Sequence, residues 1–132
     1  MRALVWVPLA VLLTAAVGWA VCRAARLNLH AGDMAIAGGA ALVAGLLAVV
    51  PMALARGADQ LGASQAALVG TAVHLFVLTA AAGVASFGRL AGPAFVYWVL
   101  AFYAATLAAL VAAFARAIKA APMAPGTQES AG

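Results

Sequence analysis

The chain has 132 residues, of which 68% are hydrophobic and only 8% are charged. A soluble domain carries about 25% charged residues, so this composition excludes a water-soluble globular protein and indicates a membrane protein. The net charge of +4 does not indicate nucleic-acid binding, because the basic residues stand singly or in pairs near the ends of apolar runs, where they anchor helices at the membrane interface.

Four apolar runs follow one another along the chain, at residues 3–22, 34–55, 66–86 and 93–115. A helix of about 20 residues crosses the hydrocarbon core of a bilayer. Short polar segments join the runs, so successive helices should be antiparallel neighbours. The sequence therefore predicts an all-α membrane protein. Its four transmembrane helices form an up-down antiparallel bundle within residues 1–120, and a short disordered tail follows at 121–132.

The first run also has features of a secretory signal, since Arg2 precedes it and small residues occur near its end. The apolar part of such a signal is normally about 7–15 residues, and this run is longer. We therefore expect it to remain as a membrane span. Cys22, at its end, is the sole cysteine, which excludes a disulfide within the chain.

The second run is rich in small residues. Asp33 precedes it and is placed to cap its helix, and His30 is close enough in sequence to pair with that carboxylate. Ala37, Ala41 and Gly45 recur at four-residue spacing, which lines one helix face with small groups and lets another backbone approach closely. Packing within the chain is the more common use of such a face, and self-association as a homo-oligomer is the alternative.

The third run contains His74, the only side chain in the apolar runs that titrates near neutral pH. Thr71 lies three residues earlier and shares its helix face. A neutral imidazole has one donor and one acceptor. Thr71 can serve one of them, and the other needs a neighbouring helix or a partner protein. Two interpretations stay open: an ordinary buried histidine, and a contact to a polar group of a partner.

The fourth run begins with Pro93, which suits the first position of a helix. Ala101, Ala105 and Ala109 again place small residues four apart. No run contains Asp or Glu, and the sequence has no phosphate-binding glycine loop, zinc-type cluster or recognisable nucleophile–base pair. We therefore expect no enzymatic activity, no cofactor and no metal.

Three stretches resemble the ATP synthase I-chain family of small four-helix membrane proteins. The stretch AIAGGAALVAGLLAVVP at 35–51 is similar to the second helix of the family, and residues 93–107, with YWVL at 97–100, are similar to the fourth. GTAVH at 70–74 falls where many members have a glycine followed by an acid and, three residues later, a base. Here Thr71 and His74 occupy those positions, so the ion pair inside the membrane is absent.

The resemblance implies an accessory or assembly factor of the F-type ATP synthase that helps to assemble the ring of c subunits in the bacterial inner membrane. In that case the predicted contacts to the c subunit, besides membrane lipid, are Gly45, Ala101 and Ala105 on the small-residue faces. Thr71 and His74 would lie toward its buried carboxylate. The alternatives are a small ion or solute transporter and a structural subunit of another membrane complex.

The distribution of basic residues predicts the orientation. Four spans place both termini on one side, and that side has four basic residues against three on the other. They are Arg2, Arg56, Arg116 and Lys119, against Arg23, Arg26 and Arg89. Because cytoplasmic segments carry an excess of Lys and Arg, both termini are predicted to be cytoplasmic.

Overall fold

The computed structural model describes residues 3–28 and 30–122. It contains four α-helices: α1 (Ala3–Ala24), α2 (Ala31–Leu54), α3 (Gln60–Phe87) and α4 (Phe95–Ala120). The described residues contain no strand. Each helix is long and apolar enough to cross a membrane, which confirms the prediction of a four-span helical membrane protein. Most of the predicted tail, from residue 123 onward, lies outside the described residues.

The four helices alternate in direction along the bundle. At one end, which we call the termini end, the Arg116 guanidinium of α4 lies over the Trp6 ring of α1, 5.4 Å from its centroid. At the opposite end, called the loop end, the Gly92 N–H before α4 donates to the Asp33 carboxylate of α2 at 2.6 Å. The start of α1 and the end of α4 therefore lie on the same side, as an up-down bundle requires.

Helices α2 and α4 form the centre of the bundle, because each of them contacts the other three helices. Within the described residues, α1 and α3 do not contact each other and flank α2 and α4 from opposite sides. The small side chains of Ala37, Ala41, Ala44 and Ala48 are completely buried. The small-residue face of α2 is thus used for packing inside the chain.

Bulky groups of the neighbouring helices fill the space that this face leaves. A Cβ at Gly38 would lie 3.2 Å from Phe102 of α4, and a Cβ at Gly45 would lie 2.5 Å from Val7 of α1. The prediction that Gly45 contacts a partner is corrected by this arrangement, because the α1 side chain already occupies that position. Leucine at position 45 would disturb α1 before it could affect any partner.

The buried apolar side chains form two clusters, one in each half of the bundle. The cluster at the termini end contains Val7, Ala48, Val49, Met52, Ala63, Ala66, Leu110 and Phe114. The cluster at the loop end contains Ala37, Ala41, Ala44, Leu78, Ala85, Phe95, Trp98 and Phe102. Burial of these groups holds the helices together by close packing and dispersion, since lipid is as apolar as the core.

The starts of α2, α3 and α4 differ from the sequence prediction. Helix α2 begins at Ala31, so Asp33 lies in its first turn and does not cap it; its carboxylate accepts the Gly92 N–H instead. Helix α3 begins at Gln60 because Asp59 caps it, accepting the Gly62 N–H at 2.9 Å. Pro93 is not the first residue of α4: it follows Gly92 in a turn in which the Phe95 N–H donates to the Gly92 carbonyl.

We expect Gly45→Ala to destabilise the bundle by about 1–3 kcal/mol, because the added Cβ would overpack against Val7. Gly39→Ala is the matched control on the same helix. No atom lies within 4 Å of a Cβ at that position, so the change should stabilise the helix by about 0.5–1 kcal/mol. Reversible unfolding in mixed detergent micelles measures both. Equal stabilisation by the two substitutions would contradict the close approach of α1 and α2.

Candidate functional site

His74 and Thr106 form a polar pair near the middle of the bundle. The His74 Nε2 atom of α3 and the Thr106 Oγ1 atom of α4 are 2.9 Å apart, and both side chains are 0% exposed. The pair joins α3 to α4 at the level where the two apolar clusters meet. A hydrogen bond between helices satisfies polar groups that lipid cannot solvate.

The neighbouring bonds determine which nitrogen of His74 carries the proton. The Thr106 hydroxyl donates to the Phe102 carbonyl at 2.7 Å, one turn earlier in α4. A hydroxyl has a single hydrogen, so its oxygen is left to accept from the imidazole. We therefore assign the proton of the neutral ring to Nε2, which donates to Thr106. Nδ1 is then an acceptor.

The Nδ1 atom of His74 is buried and has no hydrogen-bond partner in the structure. Tyr103 of α4 stacks on the imidazole, with ring centroids 5.5 Å apart and an interplanar angle of 15°. The aromatic ring and the helices enclose the histidine. An unsatisfied buried acceptor is energetically unfavourable, so this nitrogen is able to accept a further donor.

Thr71 does not serve His74, which corrects the predicted pairing within α3. Its hydroxyl donates to the Ala67 carbonyl of its own helix at 2.9 Å. Sequence spacing identified two residues on one face of α3 but gave no sign of Thr106, which lies 32 residues further along the chain. The only signal for Thr106 was that it is a polar residue inside an apolar run.

The surroundings of His74 and Thr106 limit the chemistry that this pair can perform. Because both side chains are fully enclosed by the chain's own helices, a substrate or a partner's carboxylate would reach them only after the helices separate. Within the described residues, no group of three or more His, Cys, Asp or Glu side chains is arranged to hold a metal ion. The geometry supports a structural link between α3 and α4.

The small-residue face of α4, unlike that of α2, is partly outside the bundle. Ala101 is exposed and lies beside α1, where it borders a cavity with Leu13 and Gly18, whereas Ala105 is half-buried. The residues that point directly away from the core are Ala104, Ala108 and Ala112, all exposed and four residues apart. The predicted contacts Ala101 and Ala105 lie beside this row on the same helix.

Large side chains cover the outward faces of the neighbouring helices. On α3, Leu68 is 72% exposed and Phe76 is 75% exposed. On α1, leucine and valine are exposed at Leu4, Val5, Leu9, Leu12, Leu13, Val17 and Val21. Bulky apolar groups suit contact with lipid tails, whereas small residues let another helix approach closely. Exposed alanines recur four residues apart on α4, at Ala104, Ala108 and Ala112, and on α1, at Ala16, Ala20 and Ala24. The alanine surface of α4, formed by Ala104, Ala108 and Ala112, is therefore one of two candidates for contact with another protein.

We expect Thr106→Val to destabilise the bundle by about 1 kcal/mol, because it leaves the His74 Nε2–H without an acceptor. Thr71→Val is the matched control, since that hydroxyl bonds only its own helix; its effect should stay within about 0.5 kcal/mol. In a His74→Leu background, Thr106→Val should lower the free energy of unfolding much less, because the imidazole donor is already gone. A double-mutant cycle in mixed micelles measures this coupling. If Thr106→Val lowers the free energy of unfolding equally in both backgrounds, the hydrogen bond between His74 and Thr106 is contradicted.

Comparison of the chain with protein-family models, with curated proteins and with solved structures found no match.

Proposed function

We propose that this protein is a non-enzymatic accessory or assembly factor that packs against other helices in the membrane, and that its partner is the c subunit of an F-type ATP synthase. The observation that carries the proposal is the alanine surface of α4. Its three alanines are exposed, whereas Leu68 and Phe76 dominate the outward face of α3. Such a surface gains more from a second helix than from disordered lipid chains.

The choice of partner rests on the resemblance of residues 35–51, 70–74 and 93–107 to the I-chain family. The ring of c subunits is itself a bundle of membrane helices, and a flat, small-residue surface suits docking against a helix of that kind. The third of these stretches, residues 93–107, covers the first half of α4, the helix that bears the alanine surface. The proposal therefore places the contact on α4 and leaves α2 to hold the bundle together.

A small ion or solute transporter is the alternative function. A transport pathway needs several polar groups at bilayer depth. Among the described residues the buried polar or charged side chains are Asp33, His74 and Thr106, and Asp33 lies at the loop end. Two adjoining polar side chains in the middle of the bundle support a structural bond better than a continuous path.

The proposal predicts that Ala108→Leu weakens co-purification with the c subunit, because the larger side chain would hold the partner helix away. We expect the affinity for the c subunit to fall at least tenfold. This corresponds to about 1.4 kcal/mol of binding free energy, which is within the cost of overpacking one helix contact. Ala72→Leu is the matched control, since Ala72 is also exposed but lies among the bulky outward residues of α3.

Capture from native membranes in a mild detergent, followed by immunoblotting for the c subunit and measurement of assembled ring, tests the prediction. Unchanged capture by Ala108→Leu would overturn the assignment of the surface. No capture of the c subunit by the unaltered protein would overturn the choice of partner.

Both termini are proposed to lie in the cytoplasm of a bacterial inner-membrane protein, on the basis of the small excess of basic residues at the termini end. Fusion of paired reporters after Lys119 and within residues 25–28 should give cytoplasmic activity at the first site and periplasmic activity at the second. The opposite pattern would reverse the orientation.

A further inference from the structure

Two cavities follow one another along the groove between α1 and α4. The outer cavity has a volume of about 510 Å³ and lies at the loop end, where residues 22, 27, 28 and 30 face the start of α4. The inner cavity, of about 290 Å³, lies deeper between the two helices. Trp98 and Ala101 border both cavities, so they form one continuous channel on the surface, which we call the α1–α4 groove.

The floor of the groove forms where a large ring of α4 packs against a glycine of α1. The Trp98 ring lies directly against Gly18, and a Cβ at that glycine would collide with it. Trp98 is only 8% exposed and forms part of the floor, whereas Leu13 and Val17 on the rim are 62% and 54% exposed. The groove therefore opens on the side of the bundle that faces lipid.

The length of the groove matches one leaflet of a bilayer. Along α1 it extends from Leu13 in the inner cavity to Cys22 in the outer one, a rise of about 13.5 Å. Half of the hydrocarbon core of a bilayer is about 15 Å thick. An acyl chain that enters from the loop end would thus lie in the groove for most of its length.

The mouth of the groove is polar and is flanked by positive charge. Asn28 and His30 border the outer cavity, and Arg26 is exposed and precedes Leu27, which also lines it. The Arg23 guanidinium lies over the Trp19 ring of α1, 5.1 Å from its centroid. Asp33 is the nearest acidic residue in the sequence, and its carboxylate is already engaged by the Gly92 N–H. Exposed arginines at a membrane surface attract anionic headgroups.

From this combination we propose that the α1–α4 groove binds one anionic phospholipid, with an acyl chain along Trp98 and Ala101 and the headgroup phosphate at the mouth. An amphipathic molecule uses both the apolar floor and the polar, cationic mouth. A transmembrane helix satisfies its own backbone and would leave the mouth unused. The groove adjoins the alanine surface of α4, because Ala101 in the groove lies about one helical turn before Ala104, but none of Ala104, Ala108 and Ala112 lines it.

Fluorescence of Trp98 tests the site directly, because brominated acyl chains quench a tryptophan only at short range. In a Trp6→Phe, Trp19→Phe background, Trp98 is the sole tryptophan. The protein is reconstituted in phosphatidylcholine with a minor fraction of brominated phosphatidylglycerol. The comparison sample is phosphatidylglycerol with the same fraction of brominated phosphatidylcholine. We expect severalfold stronger quenching in the first mixture, since the anionic lipid is drawn to the groove.

Matched variants separate the groove from bulk lipid. Ala101→Phe should fill the groove and abolish the difference between the two mixtures, whereas Ala104→Phe, on the outward face of the same helix, should leave it unchanged. Arg26→Gln should reduce the preference for phosphatidylglycerol while general quenching by lipid persists. Native mass spectrometry of the unaltered protein gives a second measurement that needs no tryptophan replacement, and it should show one phosphatidylglycerol retained in preference to phosphatidylcholine.

Equal quenching by the two brominated lipids, together with no preferential adduct, would overturn the proposal. It would also be overturned if Trp98 is quenched by neither lipid and a cross-link from Cys22 shows a second copy or another protein seated in the groove.

Discussion

The close approach of helices around α2 is the constraint on which the rest of the structure depends. Its buried row of alanines, with Gly38 and Gly45 beside it, has no bulk of its own, so Val7, Phe102 and the backbone of α3 come directly against it. On α3, a Cβ at Gly70 would meet the Ala48 carbonyl of α2. In a membrane, where burial of apolar groups gives little advantage over lipid, such tight packing is the main source of stability.

This arrangement decides which surfaces are left for other molecules. Because the small-residue face of α2 is used inside the chain, the exposed alanines that recur four residues apart lie on α4 and on α1, where they are Ala16, Ala20 and Ala24. Helix α4 carries Thr106 on its inner side, so its rotation about its own axis is set by the bond to His74. The alanine surface points outward for the same reason that Thr106 points inward. The inward hydrogen bond and the outward alanine surface thus both follow from the rotation of α4 about its own axis.

The sequence was sufficient for the fold because apolar run length and helix direction follow from simple physical rules. It was less informative about the site, because a row of small residues looks the same whether it faces the core or the surface. Gly45 and Ala105 have equivalent patterns, yet the first is closed by Val7 and the second is half-buried at a helix flank. The sequence points to Thr71 as the partner of His74 because spacing within one helix can be read from a sequence. The contact between His74 and Thr106 joins two helices and cannot be read in this way.

The central claim is that the outward face of α4 meets protein while the outward face of α3 meets lipid. Photo-crosslinking in native membranes tests it most directly, with benzoylphenylalanine introduced at Ala108 in one variant and at Phe76 in another. The account predicts that position 108 yields a discrete protein adduct containing the c subunit and that position 76 yields lipid adducts only. Lipid adducts alone at position 108, or the same protein adduct at both positions, would contradict it.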